Sequence, residues 1–300
     1  MPDDTADTPA ADPRVDAASR LHDSTSLFHA FVYFADEAAE EYSAVGLSGR
    51  SGYFASRTAA MGALAPEMIT ATFYNFSPDV IYPTMAGVWD EVTPEDAQLA
   101  RWRAVARVLD AHVAPVLSAE AIAEATELAA AAVEHLSWAG RPLAAGNAAV
   151  LGDLAESELS GNSLVRLWQL VSVLREWRGD AHIGLLVAEP LDGAECTVVS
   201  AALSSKIAGA IKATRSWSDA DWDAAINRLT ARGWVDGEGG ITDLGRSQRA
   251  AIERRTNELA AAMCDEIGVA GVDRLVELLA PANKALLDAN YFAAIGRPAR

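Results

Sequence analysis

The sequence has few of the residues that build disulfide frameworks or metal sites. Its 300 residues include two cysteines, Cys196 and Cys264, and these lie in helical patterns without metal-ligand spacing. Two lone cysteines are too few for a disulfide scaffold, so we interpret both as reduced residues of the interior. The motifs HExxH, CxxC and GxSxG and a glycine-rich phosphate loop are also missing. We therefore expect neither a metal nor a cofactor, and whether the protein is an enzyme stays open.

Long apolar runs and targeting signals are missing as well. No stretch of about 18 uncharged apolar residues is present, so no transmembrane helix is expected. The first 20 residues are acidic and rich in Ala and Pro, and they lack the basic start and apolar core of a signal peptide. We expect a disordered leader over 1–20, no association with membranes, and a cytoplasmic location.

Positive charge is scarce in the first half of the chain. Residues 1–159 contain 8 Arg, no Lys and 24 Asp or Glu, whereas residues 160–255 hold 12 basic and 12 acidic groups. The net charge of the whole chain is −18. Binding to duplex DNA ordinarily requires a basic face that neutralises phosphates, and neither half supplies one. DNA is therefore a disfavoured partner, although not an excluded one.

Helical periodicity dominates what is present. Apolar residues recur at helical spacing at 119–136, 164–177 and 247–264, for example. Helix starts are marked by Thr93 before Pro94, and by Ser218 and Asp192, each with an acid three residues later. Only the stretch WVDGEGGIT, 234–242, predicts β-structure, as a short hairpin. The predicted fold is all-α with a small β-wing.

The chain also matches itself at an offset of 125 to 130 residues. The segment 52–77 aligns with 179–204 without a gap, and 96–107 aligns with 221–232. We predict tandem winged-helix-like halves, 21–138 and 161–300, joined by a linker over 139–160 and packed as an internal pseudo-dimer. The alternative is chance similarity between two Ala-rich helical bundles. Oligomerisation beyond the pseudo-dimer stays unknown.

Two resemblances support this interpretation. The segment RLTARGWVDGEGGITDLGR, 228–246, resembles MarR-type regulators from the recognition helix to the helix after the wing. The matching residues are Arg228, Leu229, Gly233, Val235, Thr242, Gly245 and Arg246. Nearly the whole chain resembles an actinobacterial family identified as helix-turn-helix proteins. That resemblance lies in YFA-x-EA (33–38), GYFA-x-R (52–57), ATFYNF-x-P (71–78) and R-x-x-RGD-x-H (175–182).

The resemblance to MarR-type regulators implies DNA as a partner, but acids stand where DNA would bind. The fourth helix of the second half begins SDADWD, and the wing is DGEGG without arginine. Carboxylates at these positions would repel phosphates. MarR-type dimers also commonly hold small aromatic ligands near the junction of their parts. We therefore predict a small-molecule-binding protein whose ligand lies between the halves. The alternatives are a ligand-responsive regulator that binds DNA and a protein-interaction scaffold.

Seven residues are the candidates for binding that ligand, because polar groups bracketed by phenylalanines are typical of an apolar pocket with a few orienting contacts. They are Tyr33, Arg57, Tyr74, Asn75, Arg178, Asp180 and His182. If the ligand is transformed there, His182 or His29 is the candidate general base, and Arg57 or Arg178 would pair with an acidic group.

Ordinary structural roles would explain several of these residues equally well. Gly179 could end one helix and Asp180 could cap the next. His182 could be a packed core residue, as could His29 and Tyr33. Arg178 could simply pair with Asp180 or with Glu176.

Overall fold

The computed structural model describes residues 12–204 and 208–293 of the chain, and α-helices dominate this part. In chain order these helices are α1 (Pro13–Ala30), α2 (Asp36–Ala44), α3 (Gly49–Thr58), α4 (Pro66–Thr72), α5 (Pro78–Met85), α6 (Val88–Glu91), α7 (Pro94–His112), α8 (Ala119–Glu134), α9 (Pro142–Glu156), α10 (Ser163–Ala188), α11 (Gly193–Leu203), α12 (Ala208–Arg215), α13 (Asp219–Ala231), α14 (Asp243–Ala260) and α15 (Gly268–Asp288). Short 3-10 turns lie at Phe31–Tyr33, Ala59–Met61 and Ala261–Cys264. No helix within the described ranges combines the length and apolarity that crossing a membrane requires.

Three predicted helix starts are confirmed, and each follows from capping chemistry. Thr93 caps the N-terminus of α7, where Pro94 occupies the first helical position. Ser218 caps α13 in the same way. At α11, Asp192 and Glu195 satisfy each other's backbone N–H groups.

Helix α10 is the centre of the molecule. It contacts α1, α7, α8, α9 and α14, and its Trp168 is the largest fully buried side chain of the described residues. Buried hydrogen bonds join it to two neighbours, because Trp102 donates to Gln169 and Gln169 donates to the carbonyl of Asn147. The main apolar core forms around this helix, with α1, α7 and α15 among its walls.

A second, smaller apolar cluster lies at the C-terminal end of α10. It includes Leu185, Val199, Leu229 and Trp234, which belong to or follow α10, α11 and α13. Helices α12 and α13 both pack on α11 at this end, and we call α11, α12 and α13 the three-helix unit. The partly buried ring of Tyr74, from the first half of the chain, packs against the same cluster. This contact positions the three-helix unit against the main core.

The predicted β-wing is wrong, and the fold class is corrected to all-α. Among the described residues there is no β-strand, and an isolated bridge between Val235 and Ile241 is all the strand-like pairing they contain. The physical reason is lack of room, since α13 ends at Ala231 and Thr242 already caps α14. The side chain of Asp236 closes the turn between them by accepting two backbone N–H groups. The predicted winged-helix form of the two halves is therefore wrong for the described residues, whereas their bounds and the internal pseudo-dimer stay predictions.

The predicted helix break at Gly179 is also wrong. Helix α10 runs from Ser163 to Ala188 through both Gly179 and Asp180. A glycine inside a helix costs about 1 kcal/mol relative to alanine, and the apolar residues buried on both sides of it offset that cost. The helix predicted at 164–177 therefore continues to Ala188.

Two segments that were expected to be irregular contain helix. Helix α1 begins at Pro13 with Asp12 as its N-cap, inside the leader expected over 1–20, and residues 1–11 of that leader lie outside the described residues. Helix α9 occupies most of the linker expected over 139–160, and it buries Leu143 and Val150 while packing on α10. Both segments contribute to the packed core.

Candidate functional site

A cavity of about 700 Å³ lies where the main apolar core meets the smaller cluster. Residues between 30 and 76 form one side, and residues of α10, α11 and α12 form most of the other. Its volume falls within the range of small-molecule sites in proteins. The cavity therefore has the size and the position of a ligand site.

One face of α10 supplies the polar wall. Arg175, Glu176, Gly179, Asp180 and His182 all line the cavity, as positions three, four and seven apart on a helix share a side. Gly179 keeps this wall open, because a β-carbon there would lie 3.3 Å from Oε2 of Glu176. The REWRGDAH stretch thus reaches the cavity as one helical surface.

Glu176 is buried between two arginines. Its Oε1 accepts a hydrogen bond from Nη2 of Arg57 at 3.0 Å, and its Oε2 accepts one from Nη1 of Arg175 at 2.5 Å. Burial by itself raises the pKa of Glu176, but the guanidinium groups of Arg175 and Arg57 outweigh burial and hold it well below the ordinary value. Glu176 is therefore a carboxylate at neutral pH.

The cavity wall carries more arginine than carboxylate. Five arginines line it, namely Arg50, Arg57, Arg175, Arg215 and Arg249, against the two acids Glu176 and Asp180. Arg57 and Arg175 share one carboxylate, and Arg215 has no acidic partner among the described residues. In the same part of the chain, the buried Nε atoms of Arg57 and Arg175 have no hydrogen-bond partner. The cavity is an electropositive region in a strongly acidic protein.

Aromatic rings enclose this positive charge. Seven of them line the cavity: Tyr33, Phe34, Tyr53, Phe54, Phe73, Tyr74 and Phe76. The guanidinium carbon of Arg57 lies 4.4 Å from the ring centre of Phe73 and 4.9 Å from that of Tyr33. The guanidinium carbon of Arg215 lies 4.3 Å from the ring centre of Phe76. Stacking on a ring positions each guanidinium, and at Arg215 it leaves most of the N–H groups available to a ligand.

His29 lies behind Tyr33 and does not line the cavity. Its Nδ1 is 2.7 Å from the hydroxyl of Ser172, and that hydroxyl donates to the carbonyl of Trp168. Because Ser172 already donates its proton to Trp168, Nδ1 of His29 must donate to the Ser172 oxygen. Nε2 of His29 is then unprotonated and accepts from the hydroxyl of Tyr33. Burial lowers the pKa of His29 to about 3, so the ring is neutral. The buried histidine positions Tyr33 and has no access to a ligand.

His182 does reach the cavity, and a hydroxyl fixes its tautomer too. Its Nδ1 lies 3.1 Å from Oγ1 of Thr256, which donates to the carbonyl of Ile252. Nδ1 is therefore the donor, and Nε2 keeps a lone pair that has no partner among the described residues. Burial lowers the pKa of His182 to about 4, so the ring is neutral at pH 7. In this state Nε2 is a hydrogen-bond acceptor.

Asp180 has a capping role, though not the predicted one. Its Oδ2 accepts from the backbone N–H groups of Leu143 at 3.1 Å and Ala144 at 3.0 Å, in the first turn of α9. It thus caps a neighbouring helix, since α10 passes through it without a break. Burial raises the pKa of Asp180 to about 7. This carboxyl is only partly ionised at neutral pH.

Tyr74 and Asn75 join the cavity to the three-helix unit. The hydroxyl of Tyr74 donates to the carbonyl of Leu191, and the carbonyl of Asn75 accepts from Trp217 at 3.1 Å and from Thr197 at 3.2 Å. Asn75 lines the cavity, and its side-chain amide makes no hydrogen bond in the described part of the chain. The backbone of this loop is structural, and its amide is available to a ligand.

Six of the seven predicted ligand-binding residues line this one cavity: Tyr33, Arg57, Tyr74, Asn75, Asp180 and His182. Arg178 lies outside it, where it pairs with Glu253 at 2.6 Å and donates to Asn257. Its carboxylate partner is thus on α14, and neither Asp180 nor Glu176 fills that role.

Several lining residues were not predicted from the sequence, chiefly Tyr53, Glu176 and Arg215. The helical period would have placed Arg175 and Glu176 on the same face as Asp180 if α10 had been taken as continuous. For Arg215 the sequence holds no comparable signal, because its place depends on how α12 packs over Phe76.

The acidic start of α13 is exposed, as expected. Asp219, Asp221 and Asp223 are all on the surface. Arg228 pairs with Asp192 and Glu195. Both partners lie in or next to α11, so this arginine holds the three-helix unit together.

A second arginine, at the C-terminal end of α13, is also used within the protein. Arg232 donates to the carbonyls of Glu189 and Pro190, and its guanidinium stacks on Trp234. Arg228 and Arg232 are thus both engaged in contacts inside the fold.

Within the described residues, no cluster of three or more His, Cys, Asp or Glu side chains could hold a metal ion. Comparison with models of protein families gives a match to a helix-turn-helix family over residues 18–293. No curated protein and no solved structure matches the chain.

Proposed function

The chain belongs to this helix-turn-helix family, and from that premise we propose that it binds a small organic anion in the cavity beside α10. The observation that carries the proposal is the surplus of arginine in the cavity wall. A protein of net charge −18 concentrates five arginines there, and two acids line the cavity, of which Asp180 is partly protonated. Arg249 pairs with Glu253 outside the lining, so the surplus lies with Arg50, Arg57, Arg175 and Arg215. An anion would supply the missing negative charge.

The shape and lining of the cavity support an anion with an apolar body. The aromatic rings and aliphatic side chains such as Ile183 and Leu186 offer contact area, while arginines and Asn75 offer orienting hydrogen bonds. Apolar walls with a few converging polar groups are typical of small-molecule sites. Bonds from guanidinium to carboxylate are stronger than bonds between neutral groups. A carboxylate or similar acid group is the matching ligand chemistry.

Binding is better supported than catalysis. Of the two candidate bases, His29 does not reach the cavity, and His182 has a pKa of about 4. A base works best when its pKa lies near the operating pH. His182 is therefore suited to accept a hydrogen bond and poorly suited to remove a proton.

Isothermal titration with 2-naphthoate and its neutral amide tests the proposal. We expect the acid to bind at least tenfold more tightly than the amide. Arg215→Gln should weaken binding of the acid about tenfold or more, because a hydrogen bond to a charged group contributes about 1.5–3 kcal/mol. Arg103→Gln, at an exposed arginine paired with Glu158, is the matched control and should change nothing. Equal affinity for acid and amide, or no binding of either, would overturn the proposal.

A second candidate is a ligand-responsive regulator that binds DNA. The family match favours it, and so does the packing of α11 to α13. The exposed acids at the start of α13 oppose it. Fluorescence anisotropy with a random duplex at low salt separates the two functions. Saturable binding that 2-naphthoate reverses would favour the regulator, and we expect no saturable binding.

A further inference from the structure

The two ends of the polar wall on α10 differ in the ligand groups that they can accept. Arg175 and His182 are seven residues apart, which is two helical turns, or roughly 10 Å along the axis. The Arg175 end presents hydrogen-bond donors, and the His182 end presents the acceptor Nε2. A ligand with different polar groups at its two ends would therefore bind in one orientation.

Two hydrogen-bond donors at the Arg175 end are uncommitted. Nη2 of Arg175 makes no hydrogen bond among the described residues, whereas Nη1 of Arg175 and both Nη atoms of Arg57 are already hydrogen-bonded. The Nε atoms of both arginines also lack partners in these residues, but almost none of their surface is accessible. The hydroxyl of Tyr53 accepts from Nη1 of Arg57 at 2.7 Å, so its own proton remains for a ligand. Both donors favour an acceptor that carries negative charge.

An acid group cannot bind in the same way at the other end. Thr256 holds Nδ1 of His182 as the donor, so a ligand in the cavity meets the lone pair of Nε2. A carboxylate oxygen against that lone pair would be repelled, whereas an O–H or N–H group would donate to it. The ligand therefore has its acid group toward Arg175 and a hydrogen-bond donor toward His182.

We infer that the ligand of this cavity is an elongated organic acid with a hydroxyl or amino group at the end opposite its acid group, and that Nε2 of His182 accepts the hydrogen bond from that group. The inference rests on the proposed function and adds the polar group at the far end. The apolar contacts between the ends come from Phe73, Phe76 and Ile183.

Three probes of one shape test it: 6-hydroxy-2-naphthoate, 6-methoxy-2-naphthoate and 2-naphthoate. They share the acid group and the rings, and only the first carries a donor at the far end. By calorimetry, we expect the wild-type protein to bind the hydroxy acid about fivefold to tenfold more tightly than either of the others, which is the size of one net hydrogen bond.

Variants at His182 test whether this residue causes the preference for the hydroxy acid. His182→Phe should bring the ratio between the hydroxy and methoxy acids to about one, and His182→Gln, whose amide oxygen is an acceptor, should restore part of it. His135→Phe, at an exposed histidine away from the cavity, should keep the full ratio. Melting temperatures of the variants check that each one folds.

The outcomes distinguish failure of the inferred hydrogen bond to His182 from failure of the proposed anion binding. A wild-type ratio near one while 2-naphthoate binds would overturn the inference and leave anion binding standing. A preference that survives in His182→Phe would also overturn it, because the donor would then bind elsewhere. If none of the three acids binds, the proposed function fails and the inference fails with it.

Discussion

A β-carbon on Gly193 would lie 2.2 Å from the carbonyl oxygen of Tyr74, so the start of α11 touches the cavity loop backbone to backbone. Real β-carbons do not approach an oxygen this closely, and glycine is the residue that permits the contact. The hydroxyl of Tyr74 adds a bond to the carbonyl of Leu191 on the same side. The wall of the cavity and the three-helix unit are therefore held together at this point.

We predict that Gly193→Ala separates these two surfaces. Forcing in one methyl group here should lower the free energy of unfolding by about 1–3 kcal/mol, and it should weaken binding of 2-naphthoate because Tyr74 and Asn75 move. Urea unfolding and calorimetry measure the two effects. Gly184→Ala is the matched control: Gly184 is exposed on α10, and a β-carbon there would meet nothing within 4 Å, so alanine should stabilise by about 1 kcal/mol. Similar losses in both variants would contradict the prediction.

Removing the charge of Glu176 should have opposite effects on stability and on ligand affinity. Glu176→Gln leaves Arg57 and Arg175 buried without their carboxylate, which should cost about 3–5 kcal/mol of folding free energy. The same two guanidinium groups then become free for an acid, so 2-naphthoate should bind more tightly and raise the melting temperature further than in the wild type. Glu158→Gln, at an exposed acid, should change neither quantity. A fall in both stability and affinity would show that Glu176 itself is needed for binding.

Local capping was readable from the sequence, but helix continuity was not. The caps at Thr93, Asp192 and Ser218 depend on contacts within four residues, so a short stretch of sequence determines them. The continuity of α10 through Gly179 depends on burial against other helices, which no local pattern contains. The stretch WVDGEGGIT has the local pattern of a hairpin and predicted a β-wing. Helix α14 begins too soon after α13 for strands to form there.

The candidate site shows the same division. Tyr33, Arg57 and Asn75 were predicted as ligand-binding residues because they are polar groups among aromatic residues, and all three line the cavity. Arg178 also lies in a polar cluster of the sequence, but it pairs with Glu253 on α14, 75 residues away, and does not line the cavity. Long-range contacts of this kind decide which member of a charged cluster meets a ligand.

The partly ionised Asp180 gives a pH-dependent prediction. Its folded-state pKa of about 7 is raised above the ordinary value by burial, so the ionised form is disfavoured in the folded protein. The contribution of this group to stability therefore falls as the pH rises from about 4 to about 7, and it levels off above that. Asp180→Asn keeps an oxygen for the two backbone N–H groups of α9 and removes the charge.

The stability of Asp180→Asn relative to the wild type should thus increase across this pH window, by at most about 4 kcal/mol. Urea unfolding of both proteins at intervals of one pH unit from about pH 5 to about pH 8 measures the difference. Curves that stay parallel over this range would show that Asp180 is ionised throughout, and would remove the argument that it leaves the cavity positive.

Two buried arginines, Arg57 and Arg101, have different surroundings. Arg57 pairs with Glu176, whereas Arg101, which is 1% exposed, has no acidic partner among the described residues. Arg101 donates to the carbonyl of Ser56 at 3.2 Å and stacks on Trp168, and its Nε and Nη2 atoms are without partners in the same ranges. A buried charge with so few compensating bonds is costly.

Replacing each of these arginines by methionine should therefore give different results. Arg57→Met leaves Glu176 with a single cation and removes the stack on Phe73, so it should lower the free energy of unfolding by about 3 kcal/mol or more. Arg101→Met exchanges an unpaired buried charge for a shorter, flexible apolar chain, and the loss of its stack on Trp168 costs about 0.5–2 kcal/mol. Because relief of the desolvation cost offsets that loss, Arg101→Met should be neutral or stabilising, and it should bind 2-naphthoate normally since Arg101 does not line the cavity. Urea unfolding of the two variants side by side is the measurement. A large loss of stability in Arg101→Met would mean that its guanidinium has a compensating partner, and the two arginines would then not differ in the way their contacts indicate.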